Sequence, residues 1–398
     1  MLRKGGITSA RPGASGRVLA IALAGLYACE PDVRPNACHF GLDYDVAISG
    51  GRRFHAVTLL ARKGHALALW SDRSGLYARK LTVRGRPEGA ATRLASACPG
   101  GLDAITGARS VWVACLQQAE RGRGARATLF RFSERLERQG ELVLAQAGSI
   151  SSGISMTKTR DRMLVAWRDA TLETEQIRQV TVKGDRLTGP AQVVSSRGIG
   201  VGAPYTSAQA GRSLTLWAER WPSDASLRGR IVVFDGRGAP RRVLDLHEPS
   251  ETTPVLLAKH GTRLLAFRDR RGSRFRTGLY LTALSPDFVP IAGPRRVGRA
   301  TGPSPARLCP CMGGLISATP RNFSTDLFVS VNWLPWDLGK PLGEQEFFED
   351  DVQITRGAVA CMQGHALLLM AERGTSTRRL VHLRAVTFEC DWARDMHR

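Results

Sequence analysis

The amino-acid sequence predicts an all-β fold, a seven-bladed β-propeller with four antiparallel strands per blade. Three observations carry the prediction: a unit that recurs about every fifty residues, short apolar strands bounded by turn formers, and no sustained helical periodicity after the first thirty residues.

The recurring unit is an apolar strand, a charged turn and a second apolar strand. It reads HALALWSDRSGLYARKL from His65, RMLVAWRDATLETEQIRQVTV from Arg162 and HALLLMAERGTSTRRLVHLRAV from His365. With Trp70, Cys115, Trp167, Trp217, Phe267, Ala318 and Met370 as equivalent anchors, the steps are 45, 52, 50, 50, 51 and 52 residues. Four short strands fill such a unit, which is the size of one blade. Turns such as Arg62-Lys63-Gly64 and Lys259-His260-Gly261 end the first hairpin, the charged turn joins the second and third strands, and pieces such as Ala191 to Ser195 and Arg241 to Leu246 supply the fourth. The last unit runs out of chain after its third strand, near Cys390, whereas Leu42 to Ser49 is a strand without a blade. Placing that strand at the outer edge of the last blade closes the ring and covers an edge that would otherwise invite pairing with other chains.

Arg3, Lys4, Arg11 and Arg17 precede the apolar run Val18 to Ala28, the order of a signal peptide over residues 1–28. Eleven apolar residues are too few to span ~30 Å of hydrocarbon as a helix. Leu26-Tyr27-Ala28-Cys29 resembles the bacterial lipobox, and the resemblance implies lipidation at Cys29. The alternative, cleavage at Ala22-Leu23-Ala24, yields an exported chain without lipid. Residues 29–40 are then a short tether and 41–398 a single propeller domain. The expected place is outside the cytoplasm, as an outer-membrane lipoprotein touching the membrane through its anchor, or in the periplasm or beyond.

Eight cysteines in an exported chain argue for disulfides. Closing the ring sets Cys38 beside Cys390, and Cys98 and Cys115 straddle the hairpin turn at Gly107-Ala108. Cys361 shares its repeat position with Cys311, so it is expected to meet Cys309 or Cys311. Cys309-Pro310-Cys311 lacks the C-x₂₋₄-C spacing of zinc sites, and no metal or cofactor is expected.

The formal charge is +22, and only seven of the 57 basic residues are lysine. Such a surface attracts polyanions, so the expected partners are an envelope protein or an anionic glycan, with no specific nucleic-acid binding. Arginine clusters stand at Arg241-Arg242, Arg268 to Arg276 and Arg295 to Arg299; Trp221, Trp333 and Trp336 lie in or near connections, and Gly198 to Gly202 is glycine-rich without the lysine or helix of a phosphate loop. His55, His65, His247, His260, His365, His382 and His397 show no paired ligand spacing.

The most repeated polar feature is a carboxylate two residues after the anchor: Asp72, Asp169, Glu219, Asp269 and Glu372. Catalytic acids and bases need different environments, so a group present in most units reads as a turn-forming or interblade ion-pair device. The stretch from Trp70 to Arg79 resembles the W-x-D-x-x-G…Y-x-x-R repeat of bacterial exported propellers, which implies the same fold. It departs from the sialidase Asp-box because Gly75 lies three residues past Asp72. The function expected is a noncatalytic envelope binding or scaffolding propeller whose ligand surface carries the charged middle turns. The alternative is a propeller enzyme acting on glycans, hydrolase or lyase-like. The mark of the enzyme is a few polar side chains that converge at the channel mouth and break the sevenfold pattern.

Overall fold

The computed structural model describes residues 38–49, 53–118, 124–148, 151–171, 173–195, 202–209, 212–220, 227–234, 240–249, 255–259, 262–269, 278–299, 307–311, 314–323, 326–334, 343–349, 352–362, 364–374 and 381–390. All of them belong to the compact unit Pro35–Arg398. The leader, Cys29 and the tether before Cys38 lie outside the described residues.

The fold is an all-β propeller. Its strands form seven hydrogen-bonded antiparallel sheets. The first comprises Ala56–Arg62, His65–Ser71, Leu76–Thr82 and Pro87–Ala95; the second Gly101–Thr106, Ser110–Gln118, Ala125–Ser133 and Arg138–Ala147. The third has Ser152–Lys158, Arg162–Ala170 and Glu175–Lys183, and its outer edge is split into Arg186–Leu187 and Gln192–Val193, both paired to Glu175–Lys183. Gly189-Pro190 explains the break, since proline has no N–H for the ladder. The fourth contains Tyr205–Gln209, Arg212–Arg220, Leu227–Phe234 and Pro240–Pro249, and the fifth Val255–Lys259, Thr262–Asp269, Gly278–Leu284 and Pro290–Arg299. The sixth contains Arg307–Cys311, Gly314–Phe323, Asp326–Leu334 and Gly343–Glu349. The seventh takes Val352–Met362, His365–Gly374 and Val381–Cys390 from the end of the chain and Cys38–Ser49 from its beginning. Cys38 stands opposite Cys390 in that antiparallel pair, so the strand expected over Leu42 to Ser49 starts at Cys38.

Each sheet is buried on both faces by its neighbours, which is why the second strands read as unbroken apolar runs. His65–Ser71 is buried at six consecutive positions, while the outer strand Pro87–Ala95 is mostly exposed. The core is accordingly divided among the junctions between sheets. One apolar cluster joins the first and second sheets through Leu69, Leu102, Val113 and Phe130, and another joins the second and third through Trp112, Leu129, Met163 and Trp167. Trp217 packs with Leu164 and Ile177 between the third and fourth sheets, and Phe267 with Leu216 between the fourth and fifth. Val46, Phe54, Trp70, Leu367 and Leu383 belong to a cluster that joins the first sheet to the seventh. The first strands also lie against one another in cyclic order, each on the next and Val352–Met362 on Ala56–Arg62. Gly85 serves this junction: its φ is +83°, and a Cβ there would come within 2.8 Å of Leu367 Cδ1, so only glycine fits.

Candidate functional site

Strand order puts the turns between second and third strands, and the links from sheet to sheet, at one end of the sheets. Arg53-Phe54-His55 leads into the first strand at that end. Phe54 is buried in the cluster between the first and seventh sheets, and its neighbour His55 is half-buried. The His55 N–H donates to the Ser71 carbonyl at 2.7 Å, continuing the ladder beyond the Ala56–Ser71 pair. That bond holds the histidine beside the turn at Asp72.

The turn is built by the carboxylate of Asp72. Asp72 Oδ1 accepts from the Ser74 N–H at 2.7 Å, the Ser74 hydroxyl at 2.5 Å and the Gly75 N–H at 3.2 Å, while the Asp72 N–H donates to the Gly75 carbonyl at 3.1 Å. The result is an Asx-type turn that leaves Arg73 exposed at its tip. From the seventh sheet comes Arg356, just after a register shift between Ile354 and Arg356 that re-aims the strand. Its Nε donates to the His55 carbonyl at 3.2 Å across a sequence separation of 301 residues.

Electrostatics at this mouth are one-sided. Burial pushes the His55 imidazole below its ordinary 6.5, Arg73 pushes the same way, Asp72 opposes, and Arg356 and Arg53 add to the downward shift. Arg356 is itself lowered, first by burial and then by Arg53. A guanidinium has so high a pKa that it keeps its charge regardless. The mouth thus presents an imidazole that is neutral at pH 7 among three guanidiniums. Such a group accepts protons, and the arginines suit a carboxylate or sulfate.

In the second and fourth sheets the equivalent backbone position carries no side chain. Gly100 N–H donates to Leu116 O at 3.2 Å and Gly202 N–H to Ala218 O at 2.9 Å, each bond reaching the residue after an anchor as His55 reaches Ser71. At Gly100 a Cβ would meet Leu116 Cβ at 2.7 Å and Ser151 O at 2.9 Å. His55 therefore breaks the repeat where the second and fourth sheets hold glycine.

The four repeated carboxylates with described side chains do not come together. Asp72 forms its turn. Asp169 Oδ1 accepts from Gly148 N at 2.5 Å and Ser151 Oγ at 2.9 Å, and Oδ2 lies 3.2 Å from Arg178 Nε. Glu219 Oε2 meets Arg230 Nη1 at 2.7 Å, and Glu372 Oε2 lies 3.4 Å from Arg384 Nε. Each of these arginines stands opposite an anchor, Arg178 to Trp167, Arg230 to Trp217 and Arg384 to Met370, so each ion pair ties the second strand to the third of one sheet rather than one blade to the next. In the second sheet Gln117 takes the carboxylate's place and accepts from Arg126 at 3.2 Å. Asp269 ends the strand Thr262–Asp269, and its side chain is outside the described set.

Three disulfides are present: Cys38–Cys390, Cys98–Cys115 and Cys311–Cys361. The choice between Cys309 and Cys311 falls to Cys311, and Cys309 remains a thiol that burial pushes up to about 12. His65 Nδ1 lies 3.3 Å from Lys63 O, whereas His365, at the same repeat position, places Nε2 2.6 Å from Val83 O across the junction of the first and seventh sheets. Arg241 and Arg242 lie on Pro240–Pro249, Arg268 on Thr262–Asp269, and Arg295 and Arg296 are exposed on Pro290–Arg299. Trp221, Trp336, Arg270 to Arg276 and Gly198 to Val201 fall outside the described residues. Among the described residues, no group of three or more His, Cys, Asp or Glu is arranged to hold a metal ion, and no helix is long and apolar enough to cross a membrane.

No family model and no curated protein matches the sequence. Solved structures do match: an ulvan lyase of polysaccharide lyase family PL25 aligns with a TM-score of 0.51 at 7% identity, over 85% of this chain and 95% of its own. The chain shares a β-propeller fold with it. The same lyase bound to -[GlcA(1-4)Rha3S]- aligns with a TM-score of 0.50 at 8% identity, over 84% of this chain and 95% of the lyase. The N11 neuraminidase-like protein of A/flat-faced bat/Peru/033/2010 aligns at 0.46 and 12% identity, over 89% and 94% of the two chains. At such identity the likeness is one of fold. The expectation of a noncatalytic scaffold is corrected by these neighbours, for the propeller matched is a polysaccharide lyase.

Proposed function

We propose that the protein is an exported enzyme that acts on glycans, with its site at the mouth formed by His55, Arg53, Arg73 and Arg356. The observation that carries this reading is the placement of His55. Its N–H occupies a ladder position that is glycine in the second and fourth sheets, and its carbonyl is held by an arginine from the far end of the chain. A ulvan lyase with a similar fold supports a polysaccharide as the substrate. Three disulfides fit an oxidising compartment.

In this reading the seven sheets are seven blades of one closed ring. The cyclic packing of first strands and the mixed seventh sheet support that closure. In this reading Cys29 also carries the lipid. Labelled palmitate is incorporated by the wild type and lost in Cys29→Ala; unchanged labelling of the variant removes the anchor.

The decisive experiment incubates the purified mature protein with a panel of acidic and neutral polysaccharides and follows polymer length. Wild type shortens at least one of them, and His55→Ala slows the reaction by about 10²–10⁴-fold. Absence of shortening across the panel, or full activity in the variant, refutes the assignment.

A further inference from the structure

We infer that the end of the sheets opposite His55 docks on an anionic lipid surface, with exposed cations of the first three sheets on the headgroups and Val289 and Ile291 of the fifth sheet entering the interface. The inference is independent of the glycan-acting reading and of any lipid on Cys29.

The surface is built from turns. At this end first strands turn into second strands and third into fourth, and in the first three sheets all six of these turns are described. Neighbouring sheets are tied together here. Arg62 Nη2 meets Glu134 Oε1 at 3.1 Å between the first and second, and Arg131 Nη1 meets Asp185 Oδ2 at 3.1 Å between the second and third. His365 Nε2, 2.6 Å from Val83 O, joins the seventh sheet to the first at the same end.

Three of the turns between third and fourth strands share one construction. The hydroxyls of Thr82, Ser133 and Ser285 accept from the N–H groups of Arg86, Glu137 and Val289, each at 3.1 Å. Gly85, Leu136 and Phe288 take the preceding place with φ of +83°, +67° and +63°, and each donates its N–H back to the carbonyl of the hydroxyl residue at 3.0, 3.0 and 2.9 Å. Side chains on turns so fixed are presented to a partner without first being ordered.

Charge at these turns is unbalanced. Lys63, Arg84, Arg86, Arg109, Arg135 and Arg160 are exposed, and none has an ion-pair partner among the described residues. The acids there are mostly committed: Glu134 to Arg62, Asp185 to Arg131, and Asp161 at 3.7 Å from Arg162 Nε, which leaves Glu137. Cations distributed over the turn tips of three adjacent sheets match a broad anionic surface, which reaches all of them at once.

The fifth sheet indicates which anionic surface. Its turn at this end is braced by Arg263, which lies 4.5 Å over the Phe288 ring and donates to the carbonyls of Ser285, at 3.2 Å, and Pro286. Beyond the brace Val289 and Ile291 are 52% and 67% exposed. Leu284 stands opposite Pro290 and Ala283 opposite Ala292, so Ile291 sits in a register shift with no residue across from it. Exposed apolar side chains at the same end as unpaired Lys and Arg form the pattern that binds a membrane interface, apolar groups below the headgroups and cations among them. A soluble polyanion offers Val289 and Ile291 no place.

The test uses the protein carrying Cys29→Ala, so that no acyl chain contributes, with vesicles of phosphatidylcholine alone or mixed with phosphatidylglycerol. The bound fraction is read by sedimentation at low and high salt, and each variant is checked for an unchanged melting temperature. The expected result is binding to the mixed vesicles only, weakened by salt. Arg84→Gln with Arg135→Gln lowers the partition coefficient by about 10–30-fold, and Val289→Ser with Ile291→Ser lowers it about tenfold. Arg73→Gln with Arg93→Gln, which removes as much charge from the opposite end, leaves vesicle binding as in the parent. No binding to the mixed vesicles, or an equal loss in the Arg73 and Arg93 pair, overturns the docking surface. Polyglucuronate held as tightly as the vesicles and indifferent to Val289→Ser with Ile291→Ser overturns the lipid in favour of a soluble polyanion. The glycan-cleavage assay with His55→Ala is a separate measurement, so failure here leaves that assignment to its own test.

Discussion

His55 meets opposing influences whose balance is measurable. Burial and the cations Arg73, Arg356 and Arg53 favour the neutral ring, and Asp72 alone among the described groups favours the charged one. A lowered folded-state value means that the unfolded chain takes up the proton first, so the folded state loses stability as pH falls from 6.5 through that value. For activity the same shift extends the range in which the base is free. The acid limb of kcat/KM is therefore expected below pH 6.5, moving upward in Arg73→Gln and further downward in Asp72→Asn; NMR titration of the imidazole gives the matching order. A limb at or above 6.5 in the wild type contradicts the assigned surroundings. The sequence displayed His55 and Arg53 plainly but gave no reason to prefer them to the other histidines. Their distinction lies in a backbone bond shared with Gly100 and Gly202 and in an arginine 301 residues away, neither of which is readable without strand register.

The sheets show which repeated features are structural. The spacing of anchor and carboxylate was legible because side chains two apart share a face of a strand. The partner was not, since it depends on how the third strand slides against the second. Once aligned, Arg178, Arg230 and Arg384 each stand opposite an anchor and reach the carboxylate diagonally. Glu219 is buried and Arg230 only partly so, so the substitution takes a buried carboxylate from a part-buried guanidinium. Glu219→Ala is expected to cost about 1–3 kcal/mol in chemical denaturation with Arg230 present, and substantially less in the double variant with Arg230→Met. Equal losses in both would remove the pair as the cause. The split outer edge of the third sheet escaped sequence reading for a related reason, because Gly189-Pro190 is a local interruption within a strand that the repeat alone leads one to expect whole.

At the level of the molecule, stability is spread over the junctions between sheets, and the junction of the first sheet with the seventh joins distant parts of the chain. The pairing of Cys38–Ser49 with Val381–Cys390 was legible because the strand count left one spare before the first unit and one missing from the last. Cys38 and Cys390 are bridged across 352 residues, and closing so long a loop is worth up to about 5 kcal/mol through the unfolded state. Cys38→Ser is expected to lower Tm and to make early unfolding begin at Cys38–Ser49, visible as faster hydrogen exchange there than in His65–Ser71. Uniform acceleration through both strands would deny the seam its special part. The mixed seventh sheet also bears on biosynthesis. Its pairing of Cys38–Ser49 with Val381–Cys390 must wait until Cys390 has left the ribosome, so a segment made before all seven sheets stays an unpaired margin, open to proteases, while they are synthesised.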